Sequence, residues 1–103
     1  MDLLEAGLVA QAVAMAPVVL AELLSDPELP GPVEGQLLAI GMLEITSGFW
    51  QRAGKMRGGL LRRRYRPKLA DTLIAQSCID HNAGLLTRDR DFRPFLAYGL
   101  KLA

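Results

Sequence analysis

The chain has 103 residues, half of them apolar, with 12 basic and 11 acidic side chains and a formal net charge of +1. That permits one domain around a single modest core, and it excludes a globally basic nucleic-acid binder, so any such partner must be held by a local patch. A lone cysteine, Cys78, excludes both an intramolecular disulfide framework and a Cys-rich zinc site, and fits a reducing compartment.

The apolar segment from Leu3 to Leu24 is interrupted by Glu5, Gln11, Pro17 and Glu22, well short of a membrane-spanning run, and no basic leader precedes it. A soluble cytoplasmic protein without a membrane partner is the expectation. The spacing of Leu3, Leu4, Gly7, Leu8 and Gln11 predicts a helix from Asp2 to about Val13, capped by Asp2. Val13 to Ala16 reads as a short buried strand. Pro17 suits the first turn of a new helix, because its missing N–H has no partner to lose there, and Asp26-Pro27 ends that helix. Glu28 to Pro32 reads as a loop, Val33 to about Ile40 as a short helix, and Met42 to Ile45 as a second strand.

Thr46 or Ser47 is placed to cap a longer helix, with Phe49, Ala53, Met56 and Leu60 on one face and Arg52, Lys55, Arg57 and Arg62 opposite. Gly58-Gly59 weakens its interior. The basic run from Arg62 to Lys68 leads to a helix over about Lys68 to His81, which Asn82 and Gly84 stop. Leu85 to Thr87 reads as a third strand, Arg93 to about Ala97 as a helical turn, and Leu100 to Leu102 as a final strand. Helices alternating with short, continuously apolar strands predict a three-layer α/β domain with a parallel sheet.

In such a sheet the loops after the strand ends carry the ligand site, and Glu22, Asp71, Asp89 and Asp91 all fall after a strand or early in a following helix. A cluster of acids there is costly to fold unless a cation joins it. Each acid also has a structural reading. Asp71 complements a helix dipole for about 0.3–1 kcal/mol, Asp89 and Asp91 are ordinary turn-formers, and Glu22 is an ordinary helix residue. His81 reads as a helix-end residue, Cys78, Phe49 and Trp50 as core. The run Arg62, Arg63, Arg64, Arg66 and Lys68, with Tyr65 inside it, is either a solvated helix end or a hold on an RNA backbone with a base stacked on the ring. No Gly-rich phosphate loop supports a nucleotide-binding or phosphatase reading.

Three segments together, Ala16-Pro17-Val18-Val19-Leu20-Ala21-Glu22-Leu23-Leu24, Leu69-Ala70-Asp71-Thr72-Leu73-Ile74-Ala75 and Leu85-Leu86-Thr87-Arg88-Asp89-Arg90-Asp91-Phe92, resemble the PIN-domain family, and within it the VapC-type ribonuclease toxins. The resemblance implies that Glu22, Asp71 and Asp89 take the places of metal-binding or active-site acids, with Asp91 as an additional ligand and Thr87 as a supporting hydroxyl. It implies Mg2+ or Mn2+ as cofactor, RNA as substrate and a small antitoxin as partner. Family members open with a buried strand ending in an aspartate followed by Thr or Ser, and no segment here matches it. The domain is therefore expected to be N-terminally incomplete, through a start set too far downstream, a natural fragment, or completion by a partner subunit. Unpaired strand edges beside that place favour a homodimer or an exchanged segment.

Oxygen-only donors suit magnesium or manganese, which take one or two carboxylates together with waters and substrate phosphate oxygens. With metal on Asp71 and Asp89, and Glu22 orienting or deprotonating a water, the expected reaction is hydrolysis of RNA phosphodiester bonds. The alternative is a truncated, catalytically impaired chain acting as a binding or dimerisation module.

Overall fold

The structure is a computed structural model that describes residues 8–9 and 14–102. Helices pack against a five-stranded sheet in the spatial order β3-β2-β1-β4-β5, with β1 at Leu8–Val9, β2 at Ala14–Met15, β3 at Gly41–Met42, β4 at Gly84–Leu86 and β5 at Lys101–Leu102. This is the expected α/β class. β2 and β3 pair in parallel, as do β4 and β5.

The centre of the sheet departs from expectation. Leu8–Val9, predicted as part of a helix, is the central strand, and it runs antiparallel to both β2 and β4. The sheet is thus mixed. Leu3, Leu4 and Leu8 carry a helical period, but a strand this short is set by pairing with Ala14 and with Leu85–Leu86 rather than by its own pattern. Asp2 and the rest of that predicted helix lie outside the described residues.

Helix α1, Pro17–Leu24, begins on its proline as expected and buries Val19 and Leu23. Helix α2, Gly31–Leu38, takes in Gly31 and Pro32, which had read as loop, because proline is tolerated in a first turn where the N–H needs no partner. Helix α3, Phe49–Arg62, buries the predicted face of Phe49, Ala53, Met56 and Leu60. Its N-cap is neither Thr46 nor Ser47 but Gly48, held at φ +80°, where a Cβ would press on the Arg52 guanidinium. Gly59 is also constrained, since a Cβ there would collide with the Tyr98 hydroxyl.

Helix α4, Leu69–Asp80, is the hub of the molecule, packing against α1, α3, β4 and a 3₁₀ helix over Arg90–Tyr98. Thr72, Ile74, Ala75, Gln76, Ser77 and Cys78 are all buried. A helix surrounded in this way shows no single apolar stripe, and small residues let its neighbours approach. The buried Thr72 hydroxyl is satisfied by donating to the Lys68 carbonyl at 2.9 Å. Phe92 and Phe95, both on the 3₁₀ helix and fully buried, pack with ring centroids 6.1 Å apart beneath the loop that follows β4. Burying each such ring contributes roughly 1.5–3 kcal/mol. Cys78 is a core residue, its thiol pushed up to about 11 by burial. Trp50, read as core, is instead 63% exposed, edge-on to the buried Phe49 ring. Among the described residues, no helix is long and apolar enough to cross a membrane.

Candidate metal centre

Three carboxylates converge where α4 begins and β4 ends. One oxygen-bearing group each from Asp71, Asp89 and Asp91 lies within 4.8 Å of the other two. Asp71 stands in the first turn of α4, positioned by the Lys68–Thr72 bonds that close that turn. Asp89 and Asp91 come from the turn after β4, which is tied by its own side chains. The Asp89 amide donates to the Thr87 hydroxyl at 3.1 Å, and the Asp91 amide donates to the Asp89 carboxylate at 2.8 Å.

Asp89 therefore does what a turn-former does, capping the 3₁₀ helix, while keeping a second oxygen for another partner. Thr87 holds the backbone of the turn.

The electrostatics of the cluster are dominated by Asp71. Burial pushes its carboxyl up, the charge of Asp89 pushes it further, Lys68 pulls it partly back, and Asp91 and then Glu22 add to the rise. The net shift is upward. A half-buried, raised carboxyl beside two further acids is a setting in which a bound cation would favour the charged form. An oxygen-only donor set of this kind fits a hard divalent cation such as magnesium or manganese, and fits zinc or copper sites poorly.

Glu22 stands apart from this trio. It is exposed on α1 and acts on Asp71 only through its charge, the weakest of the influences on that carboxyl. Of the four predicted acids, the geometry brings together Asp71, Asp89 and Asp91 and leaves Glu22 at the margin.

The basic run does not act as one surface. Arg62 lines a groove between α3, α4 and the 3₁₀ helix, together with Arg52 and Lys55. Arg63 lies over the Tyr65 ring, 5.7 Å from its centroid, and Arg64 takes a left-handed φ of 69°. Arg66 and Lys68 instead face a cavity of about 210 Å³ that also includes Tyr65, Arg90 and Asp91. Arg90 was not singled out in the sequence, although its place between Asp89 and Asp91 was the available signal.

At the other end of α4, Asp80 sits in a quite different setting. Arg52 donates to both of its oxygens, from Nε at 3.1 Å and from Nη2 at 2.7 Å. Gln76 donates at 2.8 Å and the Thr46 hydroxyl at 2.9 Å. Burial pushes the Asp80 carboxyl up, but the bonds from Arg52, Gln76 and Thr46 and the Arg52 charge outweigh it, so the carboxyl is held below its ordinary value. This pairing binds the 43–48 loop to the helix. Next to it, His81 is the C-cap residue of α4 through its backbone N–H, and its ring meets the Glu44 carbonyl at 2.8 Å.

A family model described as the PIN domain matches residues 2–95, and the chain belongs to the PIN-domain family. PIN domains are in general nucleases that use a divalent metal, and the aspartate cluster is in keeping with both properties. Comparisons with curated proteins and with solved structures gave no match.

Proposed function

We propose that this chain is a metal-dependent endoribonuclease of the VapC toxin type, hydrolysing RNA phosphodiester bonds with magnesium or manganese. The observation that carries the reading is the convergence of Asp71, Asp89 and Asp91 within 4.8 Å, with Asp71 raised by burial and by its acidic neighbours. Asp71 and Asp89 are the principal metal ligands, and Asp91 completes the set. When bound, the cation supplies Lewis-acid polarisation of the phosphodiester and lowers the pKa of water.

The protein's own groups do the rest. Thr87 and the Asp89–Asp91 bond fix the turn so that the acids are placed before substrate arrives. Lys68, close enough to Asp71 to lower its carboxyl, offers a cation to a phosphate oxygen. Glu22, whose charge reaches Asp71 from α1, is the carboxylate assigned to orient water or accept its proton.

A small antitoxin and a second copy of the chain are the partners this reading carries. An apolar pocket of about 250 Å³, walled by Val18, Ile45, Phe49, Trp50 and Leu73, supports a partner that covers an apolar face. One observation favours a second reading, a catalytically impaired binding module. The central strand runs antiparallel to both of its neighbours.

The test is manganese-dependent cleavage of single-stranded RNA by the wild type, Asp71→Asn and Asp89→Asn. Loss of a metal ligand removes several kcal/mol of transition-state stabilisation, so each variant should be slower by at least about a hundredfold. Undiminished cleavage by both variants would overturn the assignment.

A further inference from the structure

The cavity beside the acid cluster has a composition that the cluster alone does not explain. Its volume is about 210 Å³, and its lining brings together one aromatic ring, Tyr65, three cations, Arg66, Lys68 and Arg90, and the Pro94 ring. It also includes Asp91, so it shares one residue with the group of three carboxylates. The elements that form it are held by bonds outside it. Arg57 donates to the Pro67 carbonyl at 3.1 Å, anchoring the 63–68 loop on α3, and the Tyr65 amide donates to the Leu60 carbonyl at 3.0 Å.

Such a lining is suited to a group that is flat and apolar on its faces and anionic on one side. A nucleotide has that chemistry, with a base to stack on an aromatic ring and a phosphate for the cations. Stacking on Tyr65 requires an unpaired base, because in a duplex both faces are already covered by neighbouring pairs. We propose that this cavity is a subsite for one nucleotide of a single strand, the nucleotide adjoining the phosphodiester at the acid cluster. Its base lies against Tyr65 and Pro94, and its phosphate meets Lys68 and Arg90. The proposal rests on the nuclease reading for what lies at the cluster, but the cavity binds with or without cleavage. It also divides the basic run by function. Arg66 and Lys68 belong to the subsite, whereas the groove holding Arg52, Lys55 and Arg62 shares no lining residue with it.

The experiment is fluorescence anisotropy with a short labelled single-stranded oligoribonucleotide and its duplex, in EDTA so that no cleavage occurs. The proteins are the wild type, Tyr65→Ala, Tyr65→Phe, Arg90→Ala and, as a charge control in the other groove, Lys55→Ala. Circular dichroism checks that each is folded. Loss of one stacking platform should weaken single-strand binding by roughly five- to a hundredfold in Tyr65→Ala, while Tyr65→Phe keeps the ring and binds like the wild type. Arg90→Ala should reduce the slope of log affinity against log salt by about 0.7, the value for one lost single-strand phosphate contact. Lys55→Ala should bind the single strand like the wild type. Equal binding by Tyr65→Ala and the wild type, equal affinity for duplex and single strand, or no binding by the wild type would each overturn the subsite. Absence of cleavage with binding and the Tyr65 effect preserved would instead count against the nuclease reading and leave the subsite standing.

Discussion

Helix α4 carries an aspartate at each end, and the two are treated in opposite ways. Asp80 is closed in by Arg52, Gln76 and Thr46 and held below its ordinary value, whereas Asp71 faces Asp89 and Asp91 and is raised. The first carboxylate has every partner it needs from the chain, and the second has Lys68 against an excess of acids. Burial raises both; at Asp80 the bonds from Arg52, Gln76 and Thr46 reverse its effect, whereas at Asp71 burial is the largest cause and the neighbouring acids add to it. A paired carboxylate contributes to the fold; an unpaired cluster costs stability and is retained where a ligand offsets that cost.

The contrast can be broken most strongly through activity. Against the hundredfold or greater loss expected for Asp71→Asn, Asp80→Ala should stay within about tenfold of the wild type at a temperature where it is folded, because Asp80 has no part in the metal cluster. Equal losses in the two variants would erase the distinction.

A smaller effect is expected in thermal unfolding with manganese. A cation bound to the folded state alone stabilises by about 2.7 kcal/mol at a hundred times its Kd, or about 10–20 °C in midpoint for a domain of this size. Asp71→Asn should lose that shift and, without metal, should unfold at or above the wild-type temperature. Asp80→Ala should show the reverse, keeping the manganese shift while losing on the order of 1–2 kcal/mol of metal-free stability, since Gln76 and Thr46 are left without their acceptor.

The pH dependence should separate the two as well. Asp71 has a folded pKa above its unfolded one, so the folded state holds the extra proton. Stability from this group therefore falls as pH climbs from the ordinary carboxylate range, about pH 4, through the raised value. Asp80 has a depressed folded pKa, so its contribution is present above the ordinary range and is lost as pH drops through the depressed value. Urea unfolding across acidic to neutral pH should thus show Asp71→Asn gaining on the wild type as pH rises, and Asp80→Ala losing most at neutrality. Parallel curves for all three proteins would refute both assignments. The smallest effect is expected for Glu22→Gln, which should leave manganese affinity within a few-fold of wild type, since Glu22 lies outside the trio.

These two ends of α4 were unequally legible in the sequence. Asp71, Asp89 and Asp91 could be read because position relative to a strand end and a helix start is encoded locally, by the helix start at about Lys68, by the Leu85–Leu86 run and by the turn residues after it. Asp80 could not, because its principal partner Arg52 is 28 positions away and only the packing of α3 on α4 brings them together. The same limit hid the central strand. Leu8–Val9 pairs with β4, far along the chain, while its own neighbours spell a helical period. α4 was placed within a residue at each end, yet the burial of Thr72, Gln76 and Ser77 would not follow from its pattern, since they are polar residues inside the core. The basic run was legible as composition and not as geometry. Its division between two grooves follows from the left-handed turn at Arg64 and the Arg57–Pro67 bond.

The central claim is that one end of α4 is built to take a cation and the other is not. The most direct test is calorimetric titration of manganese into the metal-free wild type, Asp71→Asn and Asp80→Ala at neutral pH. The account predicts a binding isotherm for the wild type, the same isotherm for Asp80→Ala below its unfolding temperature, and none for Asp71→Asn. Wild-type affinity in Asp71→Asn, or no binding by the wild type, would contradict it.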